Sequence, residues 1–186
     1  VLSEFQPVFG LVKKSERSSL FSLNKVELAG PRIPLQGKEL ISGLYVNEIT
    51  ATLVPECAEV DGLFDAYCQV LVKISENDFT NLRRYERFLL DASGVYPELQ
   101  IDRLGEAIRS DAFYRLNQYE NLVEVQSYDS GALLGSDWMR LAESQYEISG
   151  TAQHAKWLHR MLISHVTGGR RIVSVSYTHL TLPTIE

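Results

Sequence analysis

Cysteine is scarce in this chain of 186 residues, where only Cys57 and Cys68 occur. Two thiols are too few for a disulfide framework or a four-thiolate zinc site. Both are expected to pack as small apolar side chains, Cys68 the more deeply because it falls within an apolar helical pattern. Long hydrophobic runs are missing as well. No window approaches the roughly 18–20 apolar residues of a membrane helix, and the opening VLSEFQPVFG lacks the basic, apolar and small-residue order of a signal peptide. The expectation is a soluble, cytoplasmic protein with no membrane partner.

Chemistry-bearing motifs are equally sparse. There is no GxxxxGK[ST] loop to cradle phosphates, no HExxH zinc pair and no GxSxG nucleophile elbow. His154, His159 and His165 share one helical stretch, but steps of five and six residues turn neighbours to different faces. His154 and His165 do share a face, yet three turns separate them by about 16 Å, too far for one ion. No metal, no cofactor and no catalytic residue is expected, which favours a binding protein over an enzyme.

What the chain does have is a segregated charge. The net charge is -6, but residues 1–38 carry six Lys/Arg against three Asp/Glu, residues 39–148 eight against twenty, and residues 149–174 four with no acid. A polyanion responds to the local field of a face, so basic ends on an acidic chain keep nucleic acid open as a partner. Scattered surface charge is the plainer alternative.

Hydrophobic periodicity then sets out the elements. Leu2 to Val12 reads as a strand with Pro7 at an edge or bulge, and Leu20 to Leu28 as a second one alternating Phe21, Leu23 and Val26. Two strands and a loop do not make a stable sheet alone, so this segment is expected to be the end of a β domain. After the linker GPRIPLQG, apolar residues recur at helical spacing from Leu40 to Leu53, with Gly43 marking close packing. Further helices are expected at Asp61–Glu76, with Leu63, Phe64, Tyr67, Val70, Leu71 and Ile74 on one face, and at Asp78–Ala92. Short β-like pieces follow at Ala112–Leu116 and Leu122–Tyr128. A short helix is expected to open at Ser130-Gly-Ala-Leu-Leu, another at Asp137–Leu141, and a last one at Thr151–Val166 with Ala155, Leu158, Leu162 and Val166 inward, ended by Gly168-Gly169. Residues 175–186, beginning VSYTHLTLPT, abandon the helical pattern and resemble a translated sequencing adapter, so they are set aside.

The segment LRRYERFLL puts Arg83, Arg84 and Arg87 on one helix whose other face is Leu82, Tyr85, Phe88 and Leu89. It reads either as a solvated amphipathic helix, with Glu86 balancing part of the charge, or as the rim of an apolar cleft that holds a partner's carboxylate through a bidentate arginine.

The runs LQGKELISGLYVNEI, LFDAY, LRRYERFLLDASG, SGALL and HVTGGRRIVS, in that order, resemble the RecO family of bacterial recombination mediators. EFQPVFGL and LFSLNKVELAG look like later strands of that family's oligonucleotide-binding barrel. The resemblance spans about residues 1–174. It implies an α+β, mainly helical fold: residues 1–30 as the end of an OB-fold β-barrel, and residues 31–174 as a RecO-like helical domain. It implies a DNA repair role without nucleotide hydrolysis: binding single- and double-stranded DNA, annealing strands, contacting RecR and the single-stranded-DNA-binding protein, and indirectly helping RecA to load. The family's first barrel strands have no counterpart here, and the segment after Gly94 has no cysteine for the zinc site some members carry.

Joined to that resemblance, the residues fall into two candidate sites. Lys13, Lys14 and Arg17 are expected in the loop between the strands, where a barrel offers cations to a phosphate backbone; a solvated hairpin tip is the alternative. Lys156 and Arg160, four apart on the last helix, with Arg170 and Arg171 after it, are expected to form a second DNA-binding patch. For the acidic, apolar tail of the single-stranded-DNA-binding protein, the resemblance favours a helical cleft, with Leu63, Phe64 and Tyr67 taking the Phe and Arg83 or Arg84 the carboxylate. The rival reading is a helical protein-protein adaptor that has lost DNA binding.

Overall fold

The computed structural model describes residues 3–14, 21–56, 58–118, 121–126, 131–169 and 172. Its first elements are β1 (Val8–Lys14) and β2 (Phe21–Leu28), an antiparallel pair in register from Val8 opposite Leu28 to Lys14 opposite Phe21, with a bulge between Leu11 and Val12. Pro7 lies just before β1, where it removes no ladder bond, and its carbonyl accepts the Ala29 amide. Both faces of this ribbon meet solvent: Phe9 is 72% exposed, and Leu11, Val12, Phe21, Leu23 and Leu28 are all exposed. No closed barrel forms among the described residues, since these two strands pair only with each other. Lys13 and Lys14 are therefore strand residues at the end of β1, not loop residues.

The base of the ribbon is tied to the helical body. The Ile33 amide donates to the Phe5 carbonyl, and the Phe5 ring and Leu35 lie over Gly43, whose missing Cβ would meet them at 2.8 and 2.6 Å. Gly43 is the close approach its place in the sequence suggests. It sits on α1 (Gly37–Leu53), which buries Tyr45, Val46, Ile49 and Leu53.

Helix α2 (Leu63–Ser75) buries Val70, Leu71 and Ile74, but its first turn does not share that face. Leu63 and Tyr67 are half-buried and Phe64 is 73% exposed, so the six-residue apolar stripe is buried only at its C-terminal end. Cys68 is half-buried rather than core, and Cys57 lies outside the described residues. After a tight turn, the Asp78 carboxylate accepts the Thr80 amide at 3.2 Å and the Asn81 side chain at 2.5 Å, satisfying groups at the start of α3 (Thr80–Ala92). Leu82, Tyr85, Leu89 and Leu90 make α3 the central helix, packed against α1, α2 and the last helix.

A small sheet follows. Strand β3 (Phe113–Asn117) falls on the first short β-like piece and β4 (Asn121–Val125) on the first part of the second, and β5 (Ala132–Leu134) pairs with the other edge of β3, giving the order β4-β3-β5. The expected helix at Ser130–Leu134 is instead a turn at Gly131 followed by the strand Ala132–Leu134. Its backbone bonds go to β3, with Leu133 opposite Tyr114, and cross-strand pairing outweighs a local preference over so short a run. The chain turns into α4 (Gly135–Ala142) only where Gly135 donates to the Ala112 carbonyl. Trp138 and Leu141 of α4 are fully buried, and the Trp138 indole N–H donates to the Tyr114 carbonyl at 3.0 Å.

Helix α5 (Thr151–Val166) has the expected limits and packs on α3 and α4. Ala155, Leu158, Leu162 and Ile163 are buried with His159, whereas Val166 is 42% exposed. Gly168 and Gly169, both with positive φ, close its C-terminus by donating to the His165 and Ser164 carbonyls. Each fully buried aliphatic side chain of this core contributes about 1.5–3 kcal/mol relative to exposure.

Candidate functional site

The α3–α5 contact is built around a charged residue. Glu86 is fully buried. Its Oε1 accepts the Tyr45 hydroxyl from α1 at 2.7 Å, and its Oε2 accepts Arg83 Nη1 at 2.6 Å and His159 Nδ1 at 2.9 Å. Burial by itself would raise the Glu86 pKa, but the Arg83 charge and the hydrogen bonds from His159 and Tyr45 outweigh it and hold the carboxyl below its ordinary value. Burial pushes the His159 pKa down despite the Glu86 contact. The consistent state at neutral pH is an ionised Glu86 and a neutral His159 donating from Nδ1. His159 Nε2 then carries no proton that needs an acceptor, which suits a nitrogen buried between the rings of Tyr96 and Tyr146.

This network fixes where the neighbouring cations point. Arg83 is only 8% exposed and is held internally by Glu86, so the solvated α3 face expected from its sequence is instead partly core, with Glu86 at its centre. The spacing Arg83 to Glu86 is an i, i+3 pair on one helix. Arg84 turns the other way, pairing with Glu147 between α4 and α5 and lying over the Tyr146 ring at 5.9 Å. The Arg84 hydrogen bond lowers the Glu147 pKa. Arg87 stacks on Tyr96 at 3.5 Å and pairs with Asp91 at 2.6 Å.

The cations of α5 are different. Lys156 is half-buried and Arg160 exposed, one turn apart, and neither forms an ion pair among the described residues. Burial, then the charges of Arg83 and Arg160, lower the Lys156 pKa. Glu86 acts in the opposite direction but does not outweigh them, so the ammonium sits in net positive surroundings, a setting that an incoming anion relieves. Arg83, expected to belong with Arg84, therefore acts electrostatically with Lys156 and Arg160.

The other expected site residues lie apart. Tyr67 donates to Asn47 on α1 at 2.6 Å, whereas Arg84 reaches the α4–α5 connection, so the apolar and cationic halves of the expected cleft are directed to different neighbours. Lys13 and Lys14 sit on the exposed ribbon. Arg17, Arg170, Arg171 and residues 175–186 lie outside the described residues. Sequence reasoning missed Tyr45 and His159 as partners of Glu86; only the i, i+3 spacing of Arg83 and Glu86 hinted at the network. Among the described residues no three His, Cys, Asp or Glu side chains gather as metal ligands, and no helix is long and apolar enough to cross a membrane.

Fold and site together define a mainly helical domain whose central carboxylate is neutralised from within and whose α5 cations form no ion pair among the described residues. Residues 35–166 match the family described as recombination protein O C terminal. The chain is 32% identical over 160 residues to the DNA repair protein RecO of Stutzerimonas stutzeri, covering 85% of this chain and 68% of that one. It is 33% identical over 178 residues to the RecO of Methylococcus capsulatus, covering 94% and 72%, and 33% identical over 153 residues to that of Neisseria gonorrhoeae strain NCCP11945, covering 77% and 62%. The chain thus spans between 62% and 72% of the length of these relatives. It belongs to the RecO family of DNA repair proteins.

Proposed function

We propose that this chain is the helical part, with a piece of the oligonucleotide-binding barrel, of a recombination mediator that binds DNA through the cationic face of α5. The observation that carries this reading is the pair Lys156 and Arg160, one turn apart on α5, neither in an ion pair among the described residues of an acidic protein. Phosphates neutralise such a face and release counterions, giving salt-sensitive binding largely independent of sequence. Residues 1–30 are read as barrel strands and residues 31–174 as the helical domain, with Lys13, Lys14, Arg17, Arg170 and Arg171 as further candidate DNA contacts. RecR contact, strand annealing and help in loading RecA are carried over from the family resemblance as parts of the same proposal. No catalytic step is assigned.

A tether to the single-stranded-DNA-binding protein completes the reading, and Phe64, an aromatic ring 73% exposed on α2, favours it. Phe64, Leu63 and Tyr67 offer apolar contact to the tail. Arg84 offers a cation whose present ion pair is solvent-exposed and therefore exchanges at little cost. Arg83 is the weaker choice, since Glu86 already holds it. Two modest contacts on one molecule raise effective concentration, so neither must be strong.

Fluorescence anisotropy of labelled single-stranded DNA across a salt series, with and without the tail peptide, tests both halves. Salt-sensitive DNA binding that Lys156→Gln and Arg160→Gln weaken supports the mediator. Tail binding without DNA binding replaces it with a protein-protein adaptor.

A further inference from the structure

Helix α5 carries an aromatic residue that its packing leaves half finished. Gln153, Trp157, Arg160 and Ser164 fall at i, i+4, i+7 and i+11, and all four are exposed, so they form the outer stripe of the helix. Lys156 stands beside Trp157 and one turn before Arg160. No acidic residue occurs anywhere in α5. An exposed tryptophan flanked by two cations without ion pairs differs from an ordinary solvated helix face, where carboxylates alternate with bases.

The Trp157 ring is also held in place. It stands edge-on to Trp138 at 6.3 Å between centroids and 61° between planes, and Trp138 is itself fully buried and hydrogen-bonded to the Tyr114 carbonyl. Gly131 lies beside it, at a point where a Cβ would be 3.8 Å from Trp157 Cζ2. With 39% of its surface still exposed, Trp157 is a fixed aromatic platform rather than a swinging side chain. Its side-chain entropy is spent in folding, not in binding.

We infer that Trp157 stacks an unpaired base of single-stranded nucleic acid while Lys156 and Arg160 hold the adjoining phosphates. The inference rests on the DNA-binding reading and goes further, because it assigns the contact with a base to Trp157. A base in a duplex is covered by its neighbours, whereas a single strand presents a π-face to any aromatic platform between cations. Charge decides the class of occupant: two cations that form no ion pair among the described residues suit a polyanion, and the ring beside them suits its bases.

Chemistry also supplies the readout. Of the two tryptophans, Trp138 is buried and Trp157 is accessible, so stacking quenches the intrinsic emission of one ring only. A thymidine oligomer of about fifteen nucleotides should quench the wild-type chain saturably, over the same concentrations at which anisotropy reports binding. Trp157→Phe should abolish the quenching and lose little affinity. Trp157→Ala should weaken binding roughly five- to one-hundredfold at fixed salt. An abasic oligomer with the same phosphates should bind the wild type about as weakly as thymidine DNA binds Trp157→Ala. Thermal melts of both variants confirm that they are folded.

If Trp157 only covers Trp138, Trp157→Ala will melt earlier yet bind the oligomer as tightly as wild type, and the inference fails. It also fails, with the cationic face still standing, if the wild type binds DNA with unchanged emission. Quenching by an acidic peptide ending in Phe but not by the oligomer reassigns the platform to a protein partner and overturns it. Absence of any DNA binding by the wild type at low salt removes both this inference and the reading beneath it.

Discussion

Glu86 is a single carboxylate that three elements depend on. It joins α1 through Tyr45, its own helix through Arg83, and α5 through His159. Removing it leaves a guanidinium with little access to water and two polar groups without their acceptor. Glu86→Ala should therefore cost about 3–5 kcal/mol, read as a lowered urea midpoint. A midpoint within error of wild type would show that the network carries no net weight. The same residues make stability pH-dependent. Folding holds both the His159 and the Glu86 pKa down, so the unfolded chain binds more protons in acid, and stability falls as pH falls. The His159 loss begins below its unfolded value of about 6.5, and the Glu86 loss below about 4.3. Urea midpoints should decline between pH 7.5 and 5.5 in the wild type, and less so in a His159→Gln variant. A flat wild-type profile there contradicts the assignment of His159 as neutral in the fold.

At the scale of elements, two glycines rank differently although both sit in tight places. A Cβ on Gly43 meets the ends of Leu35 and Phe5, side chains that can shift. A Cβ on Gly135 would lie 1.9 Å from the Arg109 carbonyl oxygen, which is backbone and cannot shift without breaking the junction of β5 and α4. Gly135→Ala should therefore destabilise by more than Gly43→Ala, which falls within the roughly 1–3 kcal/mol usual for overpacking. Comparable thermal midpoints for the two variants would contradict this. Helix limits for α5 and the places of β3 and β4 were readable from periodicity because each is decided by its own residues. The segment that became β5 was not, since three residues pair with β3 only once the chain between them has folded back.

For the whole molecule, charge is distributed unevenly along the chain, with residues 149–174 carrying four Lys/Arg and no acid. An acidic protein that binds DNA must do so through few cations, so each should be visible in the salt dependence. Lys156→Gln and Arg160→Gln should each reduce the slope of log affinity against log salt by about one, with uniform weakening across sequences. An unchanged slope in the double variant would place the phosphates elsewhere. The sequence by itself determined the order of helices, the basic character of the end of the chain, and the family, because local periodicity, composition and motif order are properties of neighbours along the chain. Only the tertiary structure decided that Arg83 is drawn inward while Arg84 turns to Glu147, that Glu86 and His159 meet across 73 residues, and that Trp157 stays at the surface while Trp138 is buried. Those outcomes depend on which face of each helix its neighbours cover, and a face is chosen by packing between segments far apart in the chain.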